Sequence, residues 1–328
     1  MKKSFFFILL FFPFYASHSQ DNPLHKNFLR LYVDNDALIL SNNATDWGYT
    51  GGNRIDFFYS PLKSGQNLFN WFNRFAGANR VSTSGCGLMQ MIIAPQKTSL
   101  TIPDKNDYPY AGALFAIHTS HSANTSKKIS FQSEWVVGMM GPPSFAKQTH
   151  IFFHRLIKDP APTGWDYQLP ADLLLNYNIK AEKQLTGNKN IGLIAYGEIR
   201  SGTMNDALSP GLRLQFGNNK DYFSGLTRQY FVEKISKLSF SVQASADLIF
   251  YNALLQGGLF NSNSPVHDRN SKSGTTSKLN NLTGSIEFLL LFSLKKFAVS
   301  FDQKFTSAEL KDYGGHSIGN ISVYAVIN

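Results

Sequence analysis

The chain alternates apolar and polar residues over long stretches. Across 238–250, Leu238, Phe240, Val242, Ala244, Ala246, Leu248 and Phe250 take every second position, with Ser239, Ser241, Gln243, Ser245 and Asp247 between them. Successive side chains of a strand point to opposite faces, so such a run has one apolar and one polar face. Phe297, Val299, Phe301 and Phe305 alternate with Ser300, Asp302 and Lys304. Ile321, Val323, Ala325 and Ile327 alternate with Ser322 and Tyr324, and Leu212, Leu214 and Phe216 flank Arg213 and Gln215. These runs exceed the ~5–6 residues of a usual soluble strand and suit the ~9–11 of a tilted membrane strand. The pattern predicts strands near 27–36, 50–60, 86–95, 110–121, 127–138, 173–184, 190–201, 206–217, 238–251, 280–293, 296–308 and 317–327. About twelve strands is an even number, as in bacterial outer-membrane barrels. The predicted fold class is all-β, an antiparallel transmembrane β-barrel.

One segment breaks the alternation. Within 142–169, Ile151, Phe152, Leu156 and Ile157 fall at helical spacing, with His150 and His154 one turn apart. This predicts a short helix near 144–158, its apolar side opposite the histidines, held against the β scaffold. In 66–75, Leu68, Trp71, Phe72 and Phe75 share one helical face and read either as an interfacial helix or as a loop on the rim. Asn188 with Lys189 and Lys295 with Lys296 read as tight turns, and 261–277 as a polar rim loop. With 28 phenylalanines and 14% aromatic residues, the composition suits a lipid-facing wall.

The start of the chain changes the compartment. Lys2 and Lys3 precede a short apolar run and then Ala16, Ser17, His18 and Ser19, the pattern of a cleaved export signal over 1–19. Residues 20–328 then form one exported domain. Cys86 is the single cysteine, so no internal disulfide framework is available, and between Gly85 and Gly87 it reads as a small packed residue. Loss of Lys2 and Lys3 leaves +7 of the net +9 charge. In an exported protein that excess suits anionic lipids or a phosphorylated surface glycolipid rather than nucleic acid, or it is ordinary solvated lysine.

Several residues carry candidate chemistry. Asn35 and Asp36 end the first strand, and Asp46, Tyr49, Thr50, Gly51 and Gly52 begin the second. Carboxylate, amide and hydroxyl oxygens are hard ligands suited to calcium, although Asn-Asp and Gly-Gly pairs also simply make turns. Lys97 and Lys105 precede the fourth strand and can meet phosphates or solvent. His154 is the candidate general base, because imidazole titrates near neutrality. His150 at i−4 raises a zinc reading, but the glutamate of an HExxH helix is missing. No GxSxG elbow occurs, so an activated water is expected in place of a serine nucleophile.

Taken in order, these motifs resemble the lipid A 3-O-deacylase (LpxR-like) family of outer-membrane proteins. The residues that carry the likeness are Asn35 and Asp36, then Asp46, Trp47, Gly48, Tyr49, Thr50, Gly51 and Gly52. Next come Asp107, Tyr108, Pro109, Tyr110, Ala111 and Gly112, then Gly138, Gly141 and Pro142, His154, and Gly164, Trp165, Asp166, Gln168 and Leu169. Gln256, Gly257, Gly258, Leu259 and Phe260 follow. The resemblance implies a twelve-stranded barrel with a site at its outer rim, where a histidine-activated, calcium-assisted water hydrolyses an ester-linked acyl chain of lipid A. It assigns His154 as base, and Asn35, Asp36 and Thr50 to the polar part of the site. Asn35 and Asp36 become the metal ligands. Lys97, Tyr49, Trp165 and Gln168 become substrate contacts. An acidic residue is expected beyond the histidine, with Asp159 and Asp172 as candidates, and the position one turn before it, often glutamine in the family, holds His150. Partners would be lipid A or lipopolysaccharide and outer-membrane lipids, with no nucleic acid, and the protein would be a monomer. The alternatives are a non-catalytic barrel that binds or transports a ligand or shapes the membrane, and a soluble periplasmic β-sandwich.

Overall fold

The computed structural model describes residues 26–40, 48–60, 71–104, 106–217, 219–232, 236–261, 279–311 and 313–327. Twelve strands run β1 Phe28–Asn35, β2 Gly48–Tyr59, β3 Val81–Ala94, β4 Ala111–Asn124, β5 Ile129–Met140 and β6 Asp172–Gly187. They continue with β7 Ile191–Gly202, β8 Asn205–Phe216, β9 Lys237–Asn252, β10 Leu282–Ser293, β11 Phe297–Thr306 and β12 His316–Val326. Each pairs antiparallel with its sequence neighbour, and β1 pairs with β12 from Phe28↔Val326 to Asn35↔Gly319, which closes the barrel. Closure satisfies every sheet edge, the condition for crossing a bilayer with strands. No described helix is long and apolar enough to cross a membrane.

The alternation sorts the two faces. Leu31, Val33, Ile55, Phe57, Leu88, Val137, Ile286 and Phe250 are exposed on the outside. Arg30, Arg54, Asp56 and Glu134 point inward and pair: Arg30 Nη2 lies 2.7 Å from Asp56 Oδ2, Arg54 Nε 2.9 Å from Asp56 Oδ1, and Arg54 Nη2 2.9 Å from Glu134 Oε1. Across the lumen, Arg200 Nη2 lies 2.9 Å from Asp247 Oδ1. Apolar outside and charged inside is the reverse of a soluble domain and excludes a soluble sandwich.

Each predicted strand is present. The largest shift is in β3, which begins at Val81 because Ser82, Thr83, Ser84 and Gly85 show no apolar alternation. These residues still pair with β4, and the Ser82 and Ser122 hydroxyls meet at 2.8 Å. The turns at Asn188 and at Lys295 are found, with Leu294 N donating to Phe297 O at 2.7 Å. Residues 66–70 and all but Asn261 of the 261–277 loop lie outside the described residues, as do 1–25. Phe72–Ala76 is a 3-10 turn, and Phe72 and Phe75 pack on the outward Phe131, ring centroids 5.2 and 6.2 Å apart. Cys86 is exposed on the outer wall, not packed, since its alternation matches that of lipid-facing Leu88.

The two rims differ. One carries the start of β1, the end of β12 and three tight turns, at 125–128, 188–190 and 294–296. The other carries the longer connections at 95–110, 141–171 and 253–281, which marks it as the outer rim. At the inner rim the turns Asn219–Tyr222 and Leu226–Tyr230 fold into the lumen. Phe223 and Tyr222 bury against Ile194, and Leu226 and Phe231 against Phe28, Phe58, Leu291 and Tyr324. The Tyr222 hydroxyl accepts from Arg213 and donates to Glu182 Oε1 at 3.1 Å, so this plug is bonded to the lumen charges.

Candidate functional site on the outer wall

A single rung of cross-strand partners runs over the outer face of the wall near the outer rim: Gly319↔Asn35↔Gly51↔Ile92↔Gly112. The alternation that exposes Leu31 and Val33 turns Asn35 outward as well. At ~4.8 Å between strands, roughly 14 Å of wall separates Asn35 from Gly112. Both ends of the rung are overhung. A Cβ at Gly319 would lie 2.2 Å from the Leu38 carbonyl oxygen, so the chain leaving β1 crosses over β12. A Cβ at Gly112 would lie 2.1 Å from Ala146 Cβ, so the helix α1, Ala146–Leu156, starts directly on β4. Glycine at both places is what allows backbone to approach the wall.

Helix α1 is strapped down at its start. Gln90 Nε2 donates to Ser144 O at 2.6 Å, and Gly141 N donates to Gly112 O at 2.9 Å. Outward Ile92 and Ala94 form a buried cluster with Tyr110, Ala146 and Trp165. Lys147 Nζ reaches Asp166 Oδ1 at 2.6 Å, which ties the first helical turn to the turn Gly164–Tyr167. Thr163 N and Tyr110 Oη both donate to Thr98 O, at 3.0 and 3.1 Å, and so bind the strap to the 95–110 loop.

The helix docks with its histidine side inward, burying Ala146, His150 and His154. Its apolar residues face away from the protein, with Phe152 60% exposed, Leu156 53% and Ile157 56%, and Phe145 just before it is 58% exposed. On a soluble protein the apolar side of such a helix would be the buried one. On the outside of a membrane barrel, the far side of a helix meets lipid.

Hydrogen bonding fixes the tautomers of both histidines. Trp165 Nε1–H can only donate, and it donates to His150 Nδ1 at 3.1 Å. Neutral His150 therefore carries its proton on Nε2, 3.0 Å from His154 Nε2, which accepts it. His154 in turn carries its proton on Nδ1 and donates to Pro160 O at 2.8 Å. Asp159 Oδ2 lies 3.4 Å from the same Nδ1. Burial, and then the neighbouring His154, push His150 down to about 3, so it is neutral at ordinary pH. The order of donors answers the zinc reading, because a His150 whose Nδ1 accepts from tryptophan cannot offer Nε2 to a metal. Asp159 is thus the acidic partner of the histidine. Asp172 has another task, holding the N–H groups of Phe260 and Asn261 at 2.8 and 2.9 Å.

The first-strand group is a separate cluster. Asn35 Nδ2 donates to Thr50 O at 3.0 Å, and Asn35 Oδ1 accepts from Ala37 N at 2.8 Å. Thr50 is the extra residue of the bulge between Tyr49 and Gly51 and is buried, as is Asp36 at the first position of the turn Asp36–Leu38. A carboxylate, an amide oxygen and a hydroxyl thus stand at the outer-rim ends of the paired strands β1 and β2, oxygen donors of the kind calcium takes. Among the described residues, no three His, Cys, Asp or Glu side chains converge on a metal position. The donor types fit calcium, with Asp36 as the one anion.

The remaining expected contacts divide. Lys97 is exposed on the 95–110 loop, its backbone N–H donating to Asp107 Oδ2 at 3.4 Å. Tyr49 faces the lumen, because the bulge puts it out of phase with outward Gly51, and its hydroxyl donates to Asp34 at 3.0 Å. Trp165 is fully buried between Tyr110 and His150, so it orients the histidine pair and has no surface for a substrate. Gln168 is partly buried, and its backbone N–H closes the turn onto Trp165 O at 3.1 Å. Sequence reasoning missed Gln90, Ile92 and the Pro160 carbonyl. Outward Gln90, polar where a lipid-facing residue is due, was the available signal.

A closed antiparallel barrel with an apolar outer wall, a paired charged lumen and a strapped outer rim is an outer-membrane protein by architecture. The family model described as outer membrane protein LpxR matches residues 5–327, and the chain belongs to that family. The solved structure of LpxR from Salmonella typhimurium superposes with a TM-score of 0.69 at 17% identity, over 91% of this chain and 99% of that one. The β domain of the Bordetella autotransporter BrkA gives a TM-score of 0.45 at 7% identity, covering 93% and 100% of the two chains. No curated protein matches the chain.

Proposed function

We propose that this protein is a lipid A deacylase of the outer membrane, hydrolysing an ester-linked acyl chain. The observation that carries the reading is the position of the histidines, under a helix on the outer wall whose exposed side is Phe152, Leu156 and Ile157. Lipid A stands in the membrane beside the barrel, so a site on the wall meets it sideways, without passage through the lumen. Membership of the LpxR family supports the same substrate class.

In this reading His154 is the general base. The Nδ1–H bond to Pro160 O leaves the lone pair on Nε2, the nitrogen that would take a proton from water. His150 Nε2–H now occupies that lone pair, so turnover requires His150 to give way to water. The water oxygen adds to the ester carbonyl and its proton goes to His154. The acyl C–O bond then breaks, and the same proton is returned to the departing sugar oxygen. Asn35, Asp36 and Thr50 would hold a calcium ion, which when bound would polarise the ester carbonyl. Lys97 on its exposed loop would meet a phosphate of the glycolipid.

The test is mass spectrometry of lipid A from cells making the protein, with calcium supplied. Loss of one acyl chain that disappears with His154→Ala supports the reading, and an unchanged acyl pattern in cells making the unaltered protein overturns it. The occupied Nε2 also favours a second reading, a non-catalytic barrel in which the histidine pair only locks the strap. That reading predicts an unchanged acyl pattern together with a destabilised strap in His154→Ala.

A further inference from the structure

The excess positive charge is not at the candidate site. At the outer rim, Lys97, Lys147, Arg155, Lys158 and Lys311 are offset by Asp36, Asp104, Asp107, Asp159, Asp166 and Glu309 among the described residues. At the inner rim, Arg74, Lys127, Lys183, Lys189, Lys295 and Lys296 are all exposed. Among the described residues of the inner-rim connections the carboxylate is Asp221, which is neutralised by Lys237 at 2.8 Å. The cations are spread around the circumference: Arg74 lies between β2 and β3, Lys127 follows β4, Lys183 lies four residues before the end of β6, Lys189 joins β6 to β7, and Lys295 and Lys296 join β10 to β11.

Their level in the membrane follows from their neighbours. Lys189 sits between Leu185, 57% exposed, and Ile191, 44% exposed, both on the lipid-facing wall. Lys295 and Lys296 sit between the exposed Phe292 and Phe297. Arg74 lies between Trp71 and Phe75, which cluster with Phe72 on the outer wall, rings 5.7 to 6.3 Å apart. Arg74, Lys189, Lys295 and Lys296 thus stand where apolar wall ends, at the depth of lipid headgroups, with Lys127 and Lys183 on the same rim, and the Trp71 cluster belongs to the aromatic girdle of that interface.

We propose that this basic collar binds the anionic headgroups of glycerophospholipids, such as phosphatidylglycerol, in the inner leaflet of the outer membrane. A soluble acidic partner would need a patch on one side, whereas this charge encircles the barrel at one depth. The site is distinct from the proposed deacylase site, at the opposite rim, and does not rest on that reading.

The test uses the full barrel in nanodiscs of mixed phosphatidylcholine and phosphatidylglycerol, with spin-labelled lipids reporting the shell that touches the protein. The unaltered barrel is expected to enrich phosphatidylglycerol over phosphatidylcholine about 3- to 5-fold, and less in high salt. Changing the six exposed cations to glutamine should bring the ratio close to unity, with folding checked by heat-dependent gel mobility. Lys97→Gln with Lys147→Gln at the other rim should leave the enrichment intact. An unenriched shell around the unaltered barrel overturns the proposal. So does enrichment that survives loss of the six cations, or that is lost with the outer-rim pair.

Discussion

Inside the barrel, polar groups occur as paired full charges. On the outer face of the β1–β4 wall they occur as an amide, a hydroxyl and two imidazoles. Arg30, Arg54, Asp56 and Glu134 neutralise one another within hydrogen-bond distance. Asn35 bonds the Thr50 carbonyl, and His150 and His154 bond each other, all through neutral groups. The full charges of this network are tolerable in the lumen because they pair with one another, whereas against lipid they would face a large desolvation cost. The lumen network therefore holds the barrel together, and chemistry on lipid falls to groups that can be neutral. An abundance of charged residues is a poor guide to the site in such a fold.

The comparison can be broken most directly by removing one anion from the lumen. Asp56→Ala leaves Arg30 without its counter-charge and Arg54 with Glu134 alone, and is expected to cost about 3–5 kcal/mol of barrel stability. Urea unfolding in micelles measures it, and a loss below one kcal/mol would show that the lumen charges are solvated. His154→Ala should do the opposite, leaving the unfolding midpoint close to that of the parent. On the proposed function it should cut deacylation by about 10²–10⁴-fold.

Gly112→Val tests the strap. The new methyl groups must displace Ala146 and Ser144, and overpacking of this kind costs about 1–3 kcal/mol. The expected result is faster amide exchange across 146–157 with unchanged exchange in β6–β9. Equal exchange in the strap would mean that α1 does not rest on β4.

The smallest effect is a pH dependence confined to the strap. His150 is held near 3, well below the ordinary histidine range, by burial and by His154. The detached strap therefore binds a proton that the docked strap excludes, and its stability falls as pH drops from about 6.5 toward 3, by up to ~1.4 kcal/mol per pH unit. Trp165 and His154 face His150 directly, with Asp159 next to His154 and the Lys147–Asp166 pair beside the first turn. Exchange in 146–157, corrected for intrinsic rates, should rise as pH falls from 6.5 to about 4.5, and His150→Gln should flatten the dependence. A profile unchanged by that substitution would assign it to the other groups.

Much of the fold was legible because a membrane wall writes period-two alternation into every strand that faces lipid. β9 and β12 were therefore readable almost to the residue, whereas the first residues of β3, beside the Phe72–Ala76 turn, were not. Asn35, Thr50 and His154 were legible as chemistry-bearing residues at a rim, but the side of the wall was not. A one-residue bulge at Thr50 places Tyr49 in the lumen although its sequence neighbours serve the outer face. The helix α1 was legible, whereas the contact of its far side with lipid was not, because Phe152 and Leu156 look the same whether they pack on protein or on lipid. Charge was legible only as a total, since its division between rims requires the topology.

The plug formed by Asn219–Tyr222 and Leu226–Tyr230, bonded to Arg213 and Glu182, gives the protein a further property. Large outer-membrane barrels are commonly ducts, and making many of them leaves a cell leaky to small solutes. Here Tyr222, Phe223, Leu226 and Phe231 take up space at the inner end of the lumen. A barrel obstructed in this way can be made in quantity at a smaller cost in leakage than an open one of the same strand number, so its working surface can be multiplied on the outside of the wall.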